Sequence, residues 1–135
     1  MWRRLVIGVV ALALLALPGA ASSLVGISRF RTVETLHRRA GSLELWSSRV
    51  LLLRDAQAIG VGVVACDHVG TLAQCAGTYV LPSGQVTVQG SFSSRDRIVF
   101  AITGGTGTYA GVRGVSISTQ TFCCPRKALL TFYFS

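Results

Sequence analysis

The sequence predicts an all-β protein, an eight-stranded antiparallel up-and-down barrel. Three observations carry that prediction. Apolar and polar positions largely alternate in Val86-Thr87-Val88-Gln89 and from Arg97 to Thr103, the period-two pattern of strands with two unlike faces. Five glycines (Gly104, Gly105, Gly107, Gly111 and Gly114) fall between Thr103 and Val115, and glycine's tolerance of positive φ suits a tight reversal between paired strands. No convincing amphipathic helix interrupts the series, and closing the sheet removes its exposed edges. A two-sheet sandwich is the alternative use of the same strands.

In chain order, residues 1–21 read as a secretory signal. Arg3 and Arg4 form the positive end, Leu5 to Leu17 is apolar, and Gly19-Ala20-Ala21 offers small residues for cleavage. The apolar run is shorter than the ~20 residues of a spanning helix. The other reading is an uncleaved anchor, the one route to a membrane. Either reading places the domain, residues 22–135, outside the cytoplasm. The first strand is expected over Ser28–Leu36, its His37-Arg38-Arg39 end leading to Gly41. The second is expected over Leu43–Leu53, with a turn at Asp55-Ala56-Gln57. Valine-rich Ile59–Cys66 is the third, and Asp67-His68-Val69-Gly70 reads as a turn. Thr71–Leu81 is the fourth, closed by the turn residues Pro82-Ser83-Gly84. Gln85–Phe92, Arg97–Thr103, Val112–Gln120 and Lys127–Phe134 complete the eight. Pro125 stands just before the last strand, where a missing N–H does least harm.

The composition bounds the function. Of the residues, 50% are hydrophobic, and the formal charge is +8. Arg3 and Arg4 belong to the leader and the other arginines are scattered, whereas a nucleic-acid surface needs clustered charge and stacking aromatics. Nucleic acid is therefore not an expected partner. The four cysteines, Cys66, Cys75, Cys123 and Cys124, suggest disulfides in an oxidising compartment. Three pairings are open. Cys66 and Cys75 flank a short reversal and could face each other across neighbouring strands. Cys123 and Cys124 are adjacent, and one of them could instead reach Cys66 or Cys75. His68 lies two residues after Cys66, a weak metal signal; no metal or cofactor is expected.

Several residues carry two readings. The Gly104–Tyr109 loop is an anion cradle or a hairpin turn; it lacks the Gly-Lys-Ser/Thr ending and following helix of a phosphate loop. Asp67 and His68 are an acid–base pair or loop hydrogen-bonding groups. Tyr79 lines a ligand cavity or belongs to the core. Arg113 contacts a ligand or is solvated at a strand start.

At Val88-Gln89-Gly90, Ala101-Ile102-Thr103-Gly104-Gly105, Gly107, Gly111, Gly114, Pro125, Lys127 and Thr131-Phe132-Tyr133, the chain resembles the allene oxide cyclases and, more distantly, the dirigent proteins. The resemblance covers about Ile59 to Phe134. Asp67-His68-Val69 looks like the cyclases' acidic-His-Val turn, and Arg113-Gly114 is closer to the dirigent loop. The resemblance implies the eight-stranded barrel and a dry, shaped pocket that selects one conformation of a reactive apolar substrate. It also implies trimers, as plant relatives form. The plant cyclases' pocket tyrosine falls at Arg95 and their pocket cysteine at Val63. The acidic residue of their glycine loop falls at Ala110, and their second-strand asparagine has no clear counterpart near Ser47-Ser48. Glu34 stands for an early pocket glutamate.

The pocket candidates are thus Glu34, Tyr79, Arg95 and Arg113. The expected function is a secreted barrel that binds a small hydrophobic molecule and directs its cyclisation or stereoselective coupling. The alternative is a non-catalytic ligand-binding or structural barrel. The interior discriminates: convergent polar groups favour the first reading, an empty apolar cavity ligand storage, and a packed core a structural role.

Overall fold

The structure, a computed structural model, describes residues 24–135; the leader expected over residues 1–21 lies outside them. The strands are β1 (Gly26–Ala40), β2 (Leu43–Leu52), β3 (Ala58–Val69), β4 (Leu72–Leu81), β5 (Gly84–Phe92), β6 (Arg97–Gly105), β7 (Gly114–Phe122) and β8 (Lys127–Phe134). Each pairs antiparallel with the next, and β1 also pairs with β8, which closes the barrel. The sandwich arrangement is excluded by that closure. A single 3-10 turn, Gly107–Tyr109, lies between β6 and β7. Among the described residues, no helix is long and apolar enough to cross a membrane.

β1 runs past its expected end, and one expected turn is strand instead. His37-Arg38-Arg39 continues β1, because its backbone pairs with Trp46, Leu45 and Glu44 of β2. Asp67-His68-Val69 belongs to β3, paired with Gln74, Ala73 and Leu72. Polar side chains made the first stretch look like the end of a strand and the second like a turn, but ladder hydrogen bonding uses the backbone and tolerates them at a barrel rim. The reversals are tighter than expected. They are the two-residue links Gly41-Ser42 and Gly70-Thr71, with φ of +58° and +60° at the glycines, the left-handed conformation that such hairpins favour.

The interior is built from alternate residues of each strand. At the end formed by the start of β1 and the end of β8 it is filled. Phe132 and Leu130 are fully buried, and Phe132 packs edge-on against Phe30 and Tyr79 with ring centres 5.9 and 5.4 Å apart. Phe134 continues the cluster to Tyr109 at 5.9 Å. The segment after β6 lies over this end, with Val112 buried. Its N–H groups are engaged: Thr106 donates to Gln85, Thr108 to Ser83, Tyr109 to Thr106, Ala110 to Gly107 and Val112 to Tyr109. Three N–H groups of the Gly104–Tyr109 loop, those of Thr106, Thr108 and Tyr109, are thus taken by backbone carbonyls, which favours the hairpin-turn reading over the anion cradle.

Glycine makes room for the aromatics. Gly62 sits directly opposite Tyr79 in the β3–β4 ladder. A Cβ on Gly62 would lie 2.6 Å from the Tyr79 ring. Gly90 does the same for Phe100, at 2.8 Å. The small residues are thus the seats of large ones on the neighbouring strand.

Candidate functional site

The opposite end of the barrel is polar, and one irregularity in β1 builds it. Pairing runs Glu34 with Ser48 and then Leu36 with Ser47, so Thr35 is an extra residue. Such a bulge reverses which side chains face inward. Before it, Thr32 and Glu34 point into the barrel. After it, His37 does so, opposite Trp46. Without the bulge Leu36 would take the inward place. The Thr35 hydroxyl anchors the irregularity by donating to the Ser47 carbonyl at 3.2 Å.

Glu44 is the centre of this end. Its side chain is 5% exposed, yet it sits between two histidines and an arginine. His37 Nε2 lies 2.6 Å from Oε2, and His68 Nε2 lies 3.0 Å from Oε1. Arg95 Nη1 is 3.5 Å from Oε2. Burial, the largest influence, pushes the carboxyl pKa up. The hydrogen bonds from His37 and His68, then the charges of Arg95 and His37, outweigh it and hold the pKa below the usual value. An ionised carboxylate only accepts, so both imidazoles donate through Nε2, which leaves each Nδ1 as the other face of the ring. One carboxylate thereby fixes the orientation of two imidazoles, the ordering role an acidic residue plays beside a catalytic histidine.

Arg95 comes from the β5–β6 link and lies over the Trp46 ring, with 4.5 Å from Cζ to the ring centre. Its Nη2 donates to Glu34 Oε2 at 3.0 Å. Burial, then the charge of Arg126, lowers its pKa; Glu34 and Glu44 oppose the shift. Trp46 in turn packs edge-on against Phe92, ring centres 6.0 Å apart. Arg126, just before β8, joins from the other side. These groups surround a cavity of about 40 Å³ whose lining includes Thr32, Glu34, Trp46, Ser48, Arg95 and Arg126. That is room for roughly one or two water-sized groups, so a larger molecule would place only one end inside.

The four sequence-derived pocket candidates fall in three places. Glu34 and Arg95 meet at the mouth. Tyr79 stands deeper, buried in the aromatic cluster, where burial pushes its phenol pKa up to about 12. Arg113 is at the closed end, exposed, its Nη1 donating to the Val112 carbonyl at 2.8 Å. His68 is at the mouth, but its partner is Glu44, not Asp67. Val63, where the plant pocket cysteine falls, points outward, while Cys66 points inward. Cys66 is joined to Cys75, its direct ladder partner, with Cα atoms 4.1 Å apart. Cys123 is bonded to Cys124, so no cross-link ties that segment to Cys66 or Cys75. Glu44, His37, Trp46 and Arg126 were not singled out from sequence. The available signal was an acidic residue inside an apolar strand at Leu43-Glu44-Leu45-Trp46.

No family model and no curated protein matches the chain. Solved structures do. A pyocyanin demethylase superposes with a TM-score of 0.65 and 18% identity, over 78% of this chain and 98% of the other. A pterocarpan synthase dirigent protein superposes with a TM-score of 0.63 and 11% identity, over 81% and 84%. At these identities the shared property is the barrel fold.

Proposed function

We propose that this chain is an extracytoplasmic barrel that holds one end of a small, mainly apolar molecule in its polar mouth. There His37, oriented by Glu44, moves a proton on that molecule. The observation that carries the reading is the buried Glu44 carboxylate gripping two imidazoles and lying 3.5 Å from Arg95, which lines the cavity. Burying a charge is unfavourable unless its partners are in place, and such arrangements cluster at functional sites. His37 is 41% exposed, so its free ring face is accessible to a bound molecule. Proton transfer of this kind accompanies isomerisation and ring closure. The structural neighbours are named for pyocyanin demethylation and pterocarpan synthesis, which agrees with small-molecule chemistry on this fold but fixes no substrate. The Cys66–Cys75 bond suits an oxidising compartment and supports secretion.

A second reading is favoured by the filled aromatic end and the small cavity: a structural barrel without a ligand. Native mass spectrometry of the protein recovered from culture medium separates the two. A bound species that is displaced when His37 and Glu44 are replaced supports the ligand-holding barrel. Protein free of any adduct, and inert to a panel of small apolar compounds by Trp46 fluorescence, leaves the structural reading.

A further inference from the structure

The structure assigns a carboxylate subsite to the barrel mouth: Arg95 and Arg126 are placed to receive the acid group of a small organic acid. This rests on the ligand-holding reading above and names the ligand's class.

The argument begins with unmet donors. Arg95 Nε, Arg126 Nε and Arg126 Nη1 are buried and reach no protein acceptor. Leaving a buried donor unmatched is unfavourable, more so when it is charged. Both guanidinium groups line the same cavity. The carboxylates nearby are already committed. Glu34 accepts from Arg95, and its backbone N–H binds the Arg126 carbonyl at 2.8 Å. Glu44 is held by His37 and His68 and lies 3.5 Å from Arg95. Among the described residues, no carboxylate stands within ion-pair distance of Arg126. Arg126 is thus left without an anionic partner, its Nε and Nη1 unmatched beside the cavity.

The shape of the site selects the anion. Planar guanidinium forks match a carboxylate's two oxygens. The cavity of about 40 Å³ admits a group of that size and excludes the body, which must extend outward past the Trp46–Arg95 stack. Ser48, Ser118 and Gln120, also on the lining, add neutral polar groups around the acid head. An inorganic anion shares the charge but has no body to leave outside.

Calorimetric titration of the full chain tests this with hexanoate, its neutral counterpart hexanol, acetate and inorganic phosphate. Hexanoate is expected to bind at least about tenfold more tightly than hexanol, the scale of one charge-assisted hydrogen bond. Arg126→Gln is expected to abolish that preference, and Arg126→Lys to keep only part of it. Unliganded Arg126→Gln should melt no lower than the parent, because its arginine has no partner to lose. A clear fall in melting temperature would make Arg126 structural and overturn the assignment, as would an unchanged preference for hexanoate. Phosphate binding as tightly as hexanoate overturns the organic acid in favour of a free inorganic anion. Hexanol and hexanoate bound alike remove the acid subsite and leave the apolar-ligand reading standing. Acetate matching hexanoate, with the same dependence on Arg126, does the reverse. No binding by any of the four overturns the subsite.

Discussion

His37 and His68 stand on different strands and donate to opposite oxygens of one carboxylate, that of Glu44, at 2.6 and 3.0 Å. Neither histidine lies next to Glu44 in sequence. The bulge in β1 and the inward register of β3 bring them together.

Replacing Glu44 by Gln keeps one acceptor oxygen but turns the other into an NH2 donor, so one of the two imidazole N–H groups loses its acceptor, and Arg95 loses a charged neighbour. Hydrogen bonds to charged groups are worth about 1.5–3 kcal/mol, and the exposure of His37 reduces its share. A net loss of about 1–3 kcal/mol at neutral pH is expected, read from urea unfolding.

The same residue gives acid sensitivity of defined sign. The Glu44 pKa is lowered in the folded state, so the folded protein binds fewer protons there than the unfolded chain. The stabilisation is complete above the ordinary carboxylate value of about 4.3 and disappears as pH falls through the lower folded value. Urea midpoints measured from pH 6 down to pH 2 should decline less steeply in Glu44→Gln than in the parent. Parallel curves would deny the histidine-held carboxylate.

Tyr79 produces the opposite limb. Its folded pKa is raised to about 12 by burial, above an unfolded value of about 10. Stability should hold up to about pH 10 and fall between there and pH 12 by on the order of 2–3 kcal/mol. A phenol absorbance titration should show a late phase that Tyr79→Phe removes.

Gly62→Ala is expected to destabilise by about 1–3 kcal/mol through overpacking. The added methyl would meet the Tyr79 ring at 2.6 Å. In the Tyr79→Ala background the same substitution should cost much less, because the ring it strikes is gone. Thermal unfolding of the two singles and the double measures this.

The Cys66–Cys75 bond closes a short loop, the cysteines being 9 residues apart. Its removal in a Cys66→Ala, Cys75→Ala double variant should cost about 2–3 kcal/mol by the chain-entropy estimate. Denaturant unfolding with and without reductant, compared with that variant, checks the value.

The barrel was legible because period-two alternation and turn chemistry are local signals. β5, β6 and β8 show it, and their observed bounds differ from the expected ones by at most two residues. The rim strands were underestimated because His37-Arg38-Arg39 and Asp67-His68 carry polar side chains, and polarity alone does not separate a loop from a strand lining a wet mouth. Site legibility failed for a different reason. Glu34 and Arg95 are 61 residues apart, and Glu44 and His68 are 24 apart. Only barrel closure and register make them neighbours. Alternation counted straight through β1 also places Leu36 inside, since nothing in the sequence marks Thr35 as the extra residue. Arg126 was hidden by its position in an apparent turn.

The aromatic packing around Phe132 gives the barrel a floor. A molecule held at Trp46 as proposed would therefore meet, among the described residues, one doorway for both arrival and departure. Exchange of one guest for another must wait for the first to leave, so residence time at the mouth would set the pace of any turnover.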